Sequence, residues 1–439
     1  MVDTCLPGPL PLPAAELERH LIQQRAPTFA GLGIPEGLVF PCYAFCIANV
    51  PATLANVLGA ELPGAAPPLP RPMWEDIGEG AERIVCIILD AVGWQHLSAL
   101  FAEESDLSLA RLAREGRFFP ITSVFPSTTT SALVTLWTGY PPAQHGLLGH
   151  MMLLHELGFI ADMLYFSPAG APSRDQLLER GVSIDTFLPV PGLAQALGKQ
   201  GIVTRALINS SLANTAFSRL CFRGVAEVTR FITEADMWVR IRDLLSAHRG
   251  ERLLLVAYLD EMDGIGHLHG PGSDAWRAEF RSMAFSLERE FLSRLSSEER
   301  RNTLFVLTAD HGQLSRPSVP IALPDHPELQ EHLLLPATGS LRAAYLYACQ
   351  DEVELARQYI RERLGNEFLV LRSREALAAG LFGSGPASPE AGVRTGDLVV
   401  IPRGAYLLDY RQRDYAPLGM HAGMDAAEML SPLLLARLD

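Results

Sequence analysis

Residues 84–90 read IVCIILD, an unbroken apolar run rich in β-branched residues that ends on the carboxylate of Asp90. A run without polar alternation is typical of a strand that is buried on both faces of a parallel sheet. In open α/β sheets, ligands gather at the carboxyl edge of the strands. We therefore expect Asp90 to serve a binding or catalytic role.

A second stretch, residues 125–131, reads FPSTTTS and places five hydroxyl groups behind a proline. The apolar segment that follows, residues 132–137, has helical periodicity, so the hydroxyls are expected at the N-terminus of a helix. Unpaired backbone N–H groups and the positive end of the helix dipole suit that position for a phosphate, or for a hydroxyl ionised to an alkoxide.

Composition limits the class of protein. The 439 residues are 48% hydrophobic, and they contain no stretch of about 18 continuous apolar residues that would span a membrane. The N-terminus has no signal-peptide pattern, and the six cysteines are scattered without metal-knuckle spacing, so we expect a soluble cytoplasmic protein without disulfides. A formal charge of −14 argues against binding of long nucleic acids. An anionic substrate would need local countercharge, which bound metal ions could supply.

Helical and strand periods alternate along the chain as in a βα fold. We predict four regions: a Pro/Gly-rich N-terminal extension that wraps the core (1–80), a catalytic α/β core (81–336), a small α+β inserted subdomain (337–392), and a return to the core (393–439). Two further buried strands are predicted at 252–259 and 303–309, and each runs into an acidic residue, Asp260 and Asp310. Residues 150–190 are expected to form hairpins or loops at a pocket rim.

Candidate metal ligands follow these strands. The segment 258–271, YLDEMDGIGHLHGP, places three acids and two histidines in what we interpret as a glycine-rich loop, and Asp310 is followed directly by His311. Oxygen and imidazole ligands without cysteine fit zinc, manganese or a similar divalent ion. The number of ligands indicates two ions, and two ions roughly 3.5 to 4 Å apart clamp a phosphoryl group. Asp260 and His269 could instead orient the ligands by hydrogen bonds.

In their order and spacing, these motifs resemble the alkaline phosphatase superfamily, and within it the type I phosphodiesterase/nucleotide pyrophosphatase family. The resemblance implies a three-layer α/β/α sandwich with a mostly parallel central sheet. It also implies two metal sites. The ligands of one site would be Asp90, Asp310 and His311 together with the nucleophile, and those of the other Asp263, His267 and the distant His421.

The family's nucleophile lies nine residues before the threonine of a Thr-Gly pair, which here is Thr138-Gly139. Counting back identifies Thr129, with Thr128 as the nearest rival, and the resemblance makes His145 structural. One departure concerns Ala132, because we expect relatives to carry an asparagine there that stabilises the charged phosphate oxygen. Either another donor, such as Asn209 or His150, replaces it, or the substrate differs from a nucleotide diester.

The resemblance implies a metal-dependent hydrolase of phosphodiester or pyrophosphate bonds that forms a phosphothreonine intermediate on Thr129. Two divalent ions are implied, with zinc expected and manganese as the alternative. The partner would be a small-molecule phosphate ester or nucleotide, with no long nucleic acid and no membrane. Two alternatives stay open: a phosphomonoesterase or phosphonate hydrolase of the same superfamily, and a non-catalytic phosphate-binding protein.

Overall fold

The computed structural model describes residues 10–25, 27–315, 318–410 and 417–439. In these residues the strands are β1 Arg83–Leu89, β2 Arg117–Thr122, β3 Met151–Leu154, β4 Phe159–Asp162, β5 Ser167–Pro168, β6 Val203–Asn209, β7 Glu227–Phe231, β8 Leu253–Leu259, β9 Thr303–Ala309, β10 Leu314–Ser315, β11 Val319–Ala322, β12 Thr338–Ser340, β13 Ala343–Leu346, β14 Phe368–Arg372, β15 Leu398–Pro402, β16 Tyr406–Asp409, β17 Gly419–Met420 and β18 Leu430–Arg437.

The α-helices of the same residues are α1 Ala14–Gln23, α2 Val50–Val57, α3 Glu75–Gly78, α4 Trp94–Glu103, α5 Ser108–Glu115, α6 Thr129–Thr138, α7 Pro142–His145, α8 Gln176–Glu179, α9 Ile184–Phe187, α10 Leu193–Gly198, α11 Ala216–Cys221, α12 Glu234–Ala247, α13 Glu261–His269, α14 Asp274–Ser286, α15 Ser297–Arg300, α16 Pro327–Glu331, α17 Val353–Arg363, α18 Ser373–Ala378, α19 Ala391–Arg394 and α20 Ala426–Met429. Short 3₁₀ turns cover Pro27–Leu32, Ile47–Asn49, Arg71–Met73, Leu292–Arg294 and Leu323–Asp325, and Leu287–Phe291 is a π-helical turn. The helical stretch that begins at Asp274 therefore changes its winding after Ser286. No helix in the described ranges combines the length and apolar character that a bilayer crossing requires.

The main sheet has seven strands in the order β2-β18-β9-β1-β8-β6-β7. Strand β1 lies at its centre, parallel to both β8 and β9, and Leu89 is level with Leu259 on one side and Ala309 on the other. Strand β18 runs antiparallel to both of its neighbours, β2 and β9. Because the three central strands end at the same level, the residues that follow them emerge together at one edge.

Helices cover both faces of this sheet. Alternate side chains of β1 belong to different clusters of the core: Ile84, Cys86 and Ile88 pack into one, and Val85, Ile87 and Leu89 into the other. The first cluster includes buried residues of α2, α6, α10 and α11, and the second includes buried residues of α4, α5, α12 and α14. The predicted α/β fold with a mostly parallel central sheet is confirmed.

A second, antiparallel sheet has the order β14-β15-β13-β12-β3-β4-β5. It combines the strands predicted within 337–392 with the hairpin region after residue 150. Strand β15, which we expected to return to the core, pairs with β13 and β14 instead. A fully buried apolar run such as 398–402 does not reveal from its sequence which sheet it joins. The boundaries at 336 and 392 stay a prediction, but this sheet draws strands from both sides of them.

The described part of the N-terminal region packs along the main sheet; residues 1–9 of the predicted extension lie outside the described residues. Cys46 forms a bridge to Thr122 at the end of edge strand β2. The backbone N–H of Val39 donates to the carbonyl of Met424, 2.7 Å away. These contacts bring residues 39–46 close to the segment that carries His421.

That segment is held by a buried ion pair between Arg342 and Glu428, whose side chains are 1% and 0% exposed. Both guanidinium contacts are short, at 2.6 Å and 2.7 Å. Glu428 also accepts the backbone N–H groups of Gly423 and Asp425, so its carboxylate closes the loop that follows His421. The pair therefore ties the second sheet to this loop.

We predict that Arg342→Met lowers the free energy of unfolding by about 3 to 5 kcal/mol, because it leaves the Glu428 carboxylate buried without its cation. Urea unfolding of the variant beside the wild type measures the difference. The control is Arg71→Met, which breaks an exposed pair with Glu75 (side chains 72% and 57% exposed) and should change stability by less than about 1 kcal/mol. Equal effects of the two substitutions would contradict this interpretation of the buried pair.

Candidate functional site

Asp90, Asp310 and His311 form a buried group at the carboxyl edge of the main sheet, with candidate ligand atoms that all lie within 4.8 Å of one another. His311 Nε2 is 3.7 Å from Asp90 Oδ1 and 3.4 Å from Asp310 Oδ2. The two acids directly follow the level ends of β1 and β9, which is why they meet.

The first group has an unpaired carboxylate oxygen that could bind a cation. Asp310 Oδ1 accepts the backbone N–H groups of Ala91 and His311, whereas its Oδ2 is buried without a hydrogen-bond partner. Burial, with the charges of Asp310 and Asp263, raises the pKa of Asp90 well above its ordinary value, although Tyr258 donates a hydrogen bond to it. Burial raises the pKa of Asp310 as well. Clustered buried carboxylates with an unpaired oxygen are the environment that a divalent ion stabilises.

Asp263, His267 and His421 form a second group with ligand atoms within the same limit of 4.8 Å. Asp263 Oδ1 lies 3.2 Å from His267 Nε2 and 3.7 Å from His421 Nε2. Burial alone would raise the pKa of Asp263, but the hydrogen bond and charge of His267, with His421 and His311, lower it overall.

The segment that we interpreted as a ligand loop is the helix α13, which places Asp263 and His267 one turn apart on the same face. We had interpreted the glycines of this segment as a sign of a loop, but the helix contains two of them. Gly266 is required by packing, because a Cβ at this position would collide with the side chain of Gln313. Gln313 in turn donates from Nε2 to Asp263 Oδ1 at 2.6 Å and so orients that carboxylate.

The three histidines share one hydrogen-bonding pattern. Nδ1 of His267 is 2.7 Å from the carbonyl of Gly419, Nδ1 of His311 is 3.1 Å from its neighbour's carbonyl, and Nδ1 of His421 is 3.3 Å from the carbonyl of Ser127. A carbonyl can only accept, so each Nδ1 donates its proton to that carbonyl, and each ring turns its Nε2 toward a carboxylate oxygen. This orientation, with Nδ1 fixed by a carbonyl and Nε2 directed at carboxylates, is the one that metal-binding histidines adopt.

The two groups are neighbours. The rings of His311 and His421 stack with centroids 4.2 Å apart and planes inclined by 11°. Burial, followed by the proximity of His311, lowers the pKa of His421 well below its ordinary value, which keeps the ring neutral. The six side chains therefore line one continuous site.

Thr129 is the first residue of α6, as the hydroxyl-rich stretch predicted, and its Oγ1 lies 3.5 Å from Asp90 Oδ1 and 3.2 Å from His311 Nε2. Thr128 is the N-cap residue, and it lines a neighbouring cavity with His150, His267 and His421. Of the two rival threonines, Thr129 is the one whose hydroxyl contacts the first group.

The weaker candidates lie outside both groups. Asp260 is half-buried at the N-cap of α13, and His269 is exposed in its last turn. His145 is fully buried, where burial lowers its pKa to about 3. Its Nδ1 accepts the N–H of Leu147 and its Nε2 lies 3.1 Å from Thr135 Oγ1, so its hydrogen bonds are structural.

Ala132 is fully buried and belongs to the core cluster on one face of the main sheet. Of the two substitute donors, Asn209 bonds locally to Ser211 through its side-chain oxygen. His150 lines the cavity beside the second group, and its Nε2 lies 3.1 Å from Asp162 Oδ2. Gln313 and Tyr258 were not predicted from the sequence as residues of the site. The available signals were that Gln313 directly follows Asp-His-Gly and that Tyr258 lies one residue before the end of β8.

The chain was compared with known families and structures. A family model described as type I phosphodiesterase / nucleotide pyrophosphatase matches residues 84–424. Comparison with curated protein sequences found no match.

Similar solved structures include phosphonoacetate hydrolase from Sinorhizobium meliloti 1021 in complex with phosphonoformate (TM-score 0.59, 19% identity, covering 80% of this chain and 89% of that chain). Murine ectonucleotide pyrophosphatase/phosphodiesterase 5 is similar to the same degree (TM-score 0.61, 16% identity, 80% and 87% coverage). An inactive threonine-to-alanine variant of that murine protein, in complex with AMP, has a TM-score of 0.60 with 16% identity and 80% and 87% coverage.

At these identities the structures share the fold with this chain. The family match covers most of the chain and spans both ligand groups and Thr129. The chain therefore belongs to the type I phosphodiesterase/nucleotide pyrophosphatase family, whose members are metal-dependent hydrolases that act on phosphate esters.

Proposed function

We propose that this protein hydrolyses phosphodiester or pyrophosphate bonds with Thr129 as the nucleophile. The observation that carries the proposal is the position of the Thr129 hydroxyl, 3.5 Å from Asp90 and 3.2 Å from His311 at the N-terminus of a helix. The murine neighbour supports it, because replacing a threonine by alanine inactivates that protein.

In the proposed reaction, Thr129 loses its proton and its oxygen attacks phosphorus in line. The Oγ1–P bond forms as the bond to the leaving oxygen breaks, and water then cleaves the phosphothreonine to release the product. The N-terminus of α6 stabilises negative charge on both the alkoxide and the phosphate oxygens. The helix thus orients the nucleophile and favours its ionised form.

Two metal ions are proposed. Asp90, Asp310, His311 and Thr129 would hold one, and Asp263, His267 and His421 the other. When bound, such ions favour ionisation of a hydroxyl and neutralise phosphate charge. Zinc is the proposed metal because its ligands are imidazole and carboxylate groups, with manganese as the alternative.

A phosphomonoesterase or phosphonate hydrolase would use the same residues around phosphorus. Turnover of bis(4-nitrophenyl) phosphate against 4-nitrophenyl phosphate and phosphonoacetate separates these activities, and the diester is expected to be preferred. The proposed substrate is a small molecule. A cytoplasmic location is likewise a proposal, and it is made from the sequence alone.

We predict that Thr129→Ala reduces kcat by at least about a thousandfold and abolishes covalent phosphate labelling, because no other hydroxyl among the described residues contacts both Asp90 and His311. The matched control is Thr128→Ala, which should keep kcat within about tenfold. Rapid-quench labelling with a radioactive diester measures both. Near-normal turnover of Thr129→Ala would reject the mechanism, and the reverse ranking would assign the nucleophile to Thr128.

We predict that the zinc-loaded protein binds two ions per chain and that chelation abolishes turnover. His421→Ala should reduce the zinc content to about one ion per chain, because the substitution removes a candidate ligand of the second group only. Plasma mass spectrometry of the dialysed protein gives the stoichiometry. His269→Ala is the control, since that exposed histidine lies outside both groups. A content of one ion in the wild type would contradict the two-metal arrangement.

We further predict that His150 supplies the hydrogen-bond donor to the phosphate oxygen that Ala132 cannot supply. His150→Ala should lower kcat about ten- to a hundredfold with a smaller change in KM, because a donor to developing phosphate charge acts mainly in the transition state. Asn209→Ala is the control and should change kcat less than threefold. If the two variants behaved alike in steady-state kinetics, His150 would have no such role.

A further inference from the structure

A narrow cleft, partly open to solvent, lies beside Thr129 and has a cavity volume of about 40 Å³. Its apolar wall comes from separate segments of the chain: α6 contributes Leu133 and Trp137, the end of β6 contributes Ile208, and α11 with the residue after it contributes Phe217 and Phe222. The cleft therefore joins the proposed nucleophile to a hydrophobic surface.

The polar atoms of this wall are already bonded within the protein. The Tyr258 hydroxyl donates to Asp90. The hydroxyls of Thr215 and Ser218 lie 3.0 Å apart, and Thr215 Oγ1 also donates to the carbonyl of Leu212. Burial raises the pKa of the Cys221 thiol to about 12, so this lining group is neutral as well.

Among the described residues that line the cleft, Arg174 is the charged one, and its side chain is exposed. Its guanidinium lies over the ring of Tyr165, 4.1 Å from the centroid, which holds the charge at the rim. The interior consequently offers apolar surface and shape, but few unsatisfied donors or acceptors with which to recognise the edge of a nucleobase.

We propose that this cleft binds an alkyl or aryl group attached to the phosphorus that reacts at Thr129. The substrate class is then an alkyl or aryl phosphodiester, and recognition rests on buried apolar area rather than on hydrogen bonds to a base. This proposal depends on the proposed function for the position of the phosphorus.

The test is calorimetric titration of the zinc-loaded protein with methyl, butyl and hexyl phosphate, together with steady-state kinetics on the corresponding 4-nitrophenyl alkyl phosphates. Each buried methylene should lower Kd by up to about fourfold, and kcat/KM should rise in the same order. Adenosine and inosine monophosphates, which differ at the base edge, should bind within about twofold of each other.

Leu212→Trp should remove the dependence on chain length, because the indole would fill the cleft that Leu212 lines. The control Leu334→Trp adds the same group at a residue that is 67% exposed and should leave the dependence intact.

A Kd independent of chain length in the wild type overturns the proposal, and so does a tenfold preference between the two nucleotides. If Kd falls with chain length but no ester is hydrolysed, the proposal that the cleft binds an alkyl or aryl group is supported and the proposed function is contradicted. If the esters are hydrolysed at rates independent of chain length, the proposed function is supported and the proposal for the cleft is contradicted.

Discussion

The pairing of β1 between β8 and β9 determines the geometry of the site. Because the three strands are parallel and in register, Leu89, Leu259 and Ala309 end at one level. A shift of one residue in either pairing would move an acid off this edge and reverse the faces of the strand. The register of these two pairings therefore places Asp90 beside Asp310.

The rest of the site is brought to this edge by other elements. Helix α13 follows β8 and presents Asp263 and His267, whereas His421 comes from a loop near the end of the chain. That loop is held by Glu428 and Arg342, and the latter belongs to the turn between strands of the second sheet. The second sheet thus supports His421, a candidate ligand of the second group, and its own described residues include none of the six candidate ligands.

The sequence predicted best what depends on local pattern. The strand before Asp90, the strand before Asp310 and the helix headed by Thr129 were all predicted from apolar runs and their polar ends. The pairing of His421 with Asp263 came from the family resemblance, because no local pattern relates residues so far apart in the chain. Sheet membership of β15 and the helical state of α13 were missed. An apolar run is compatible with either sheet, and glycines are tolerated in a helix where packing requires them.

Other contacts between residues distant in sequence could not be predicted. The role of Gln313 depends on a close approach to Gly266, and the apolar cleft depends on segments that meet only in the fold. Anomalous diffraction at the zinc edge from a zinc-soaked crystal would show whether the two candidate ligand groups hold metal ions beside Thr129. We expect two peaks roughly 3.5 to 4 Å apart, one among Asp90, Asp310 and His311 and the other among Asp263, His267 and His421. A single peak, or peaks away from these side chains, would contradict the proposed two-metal site.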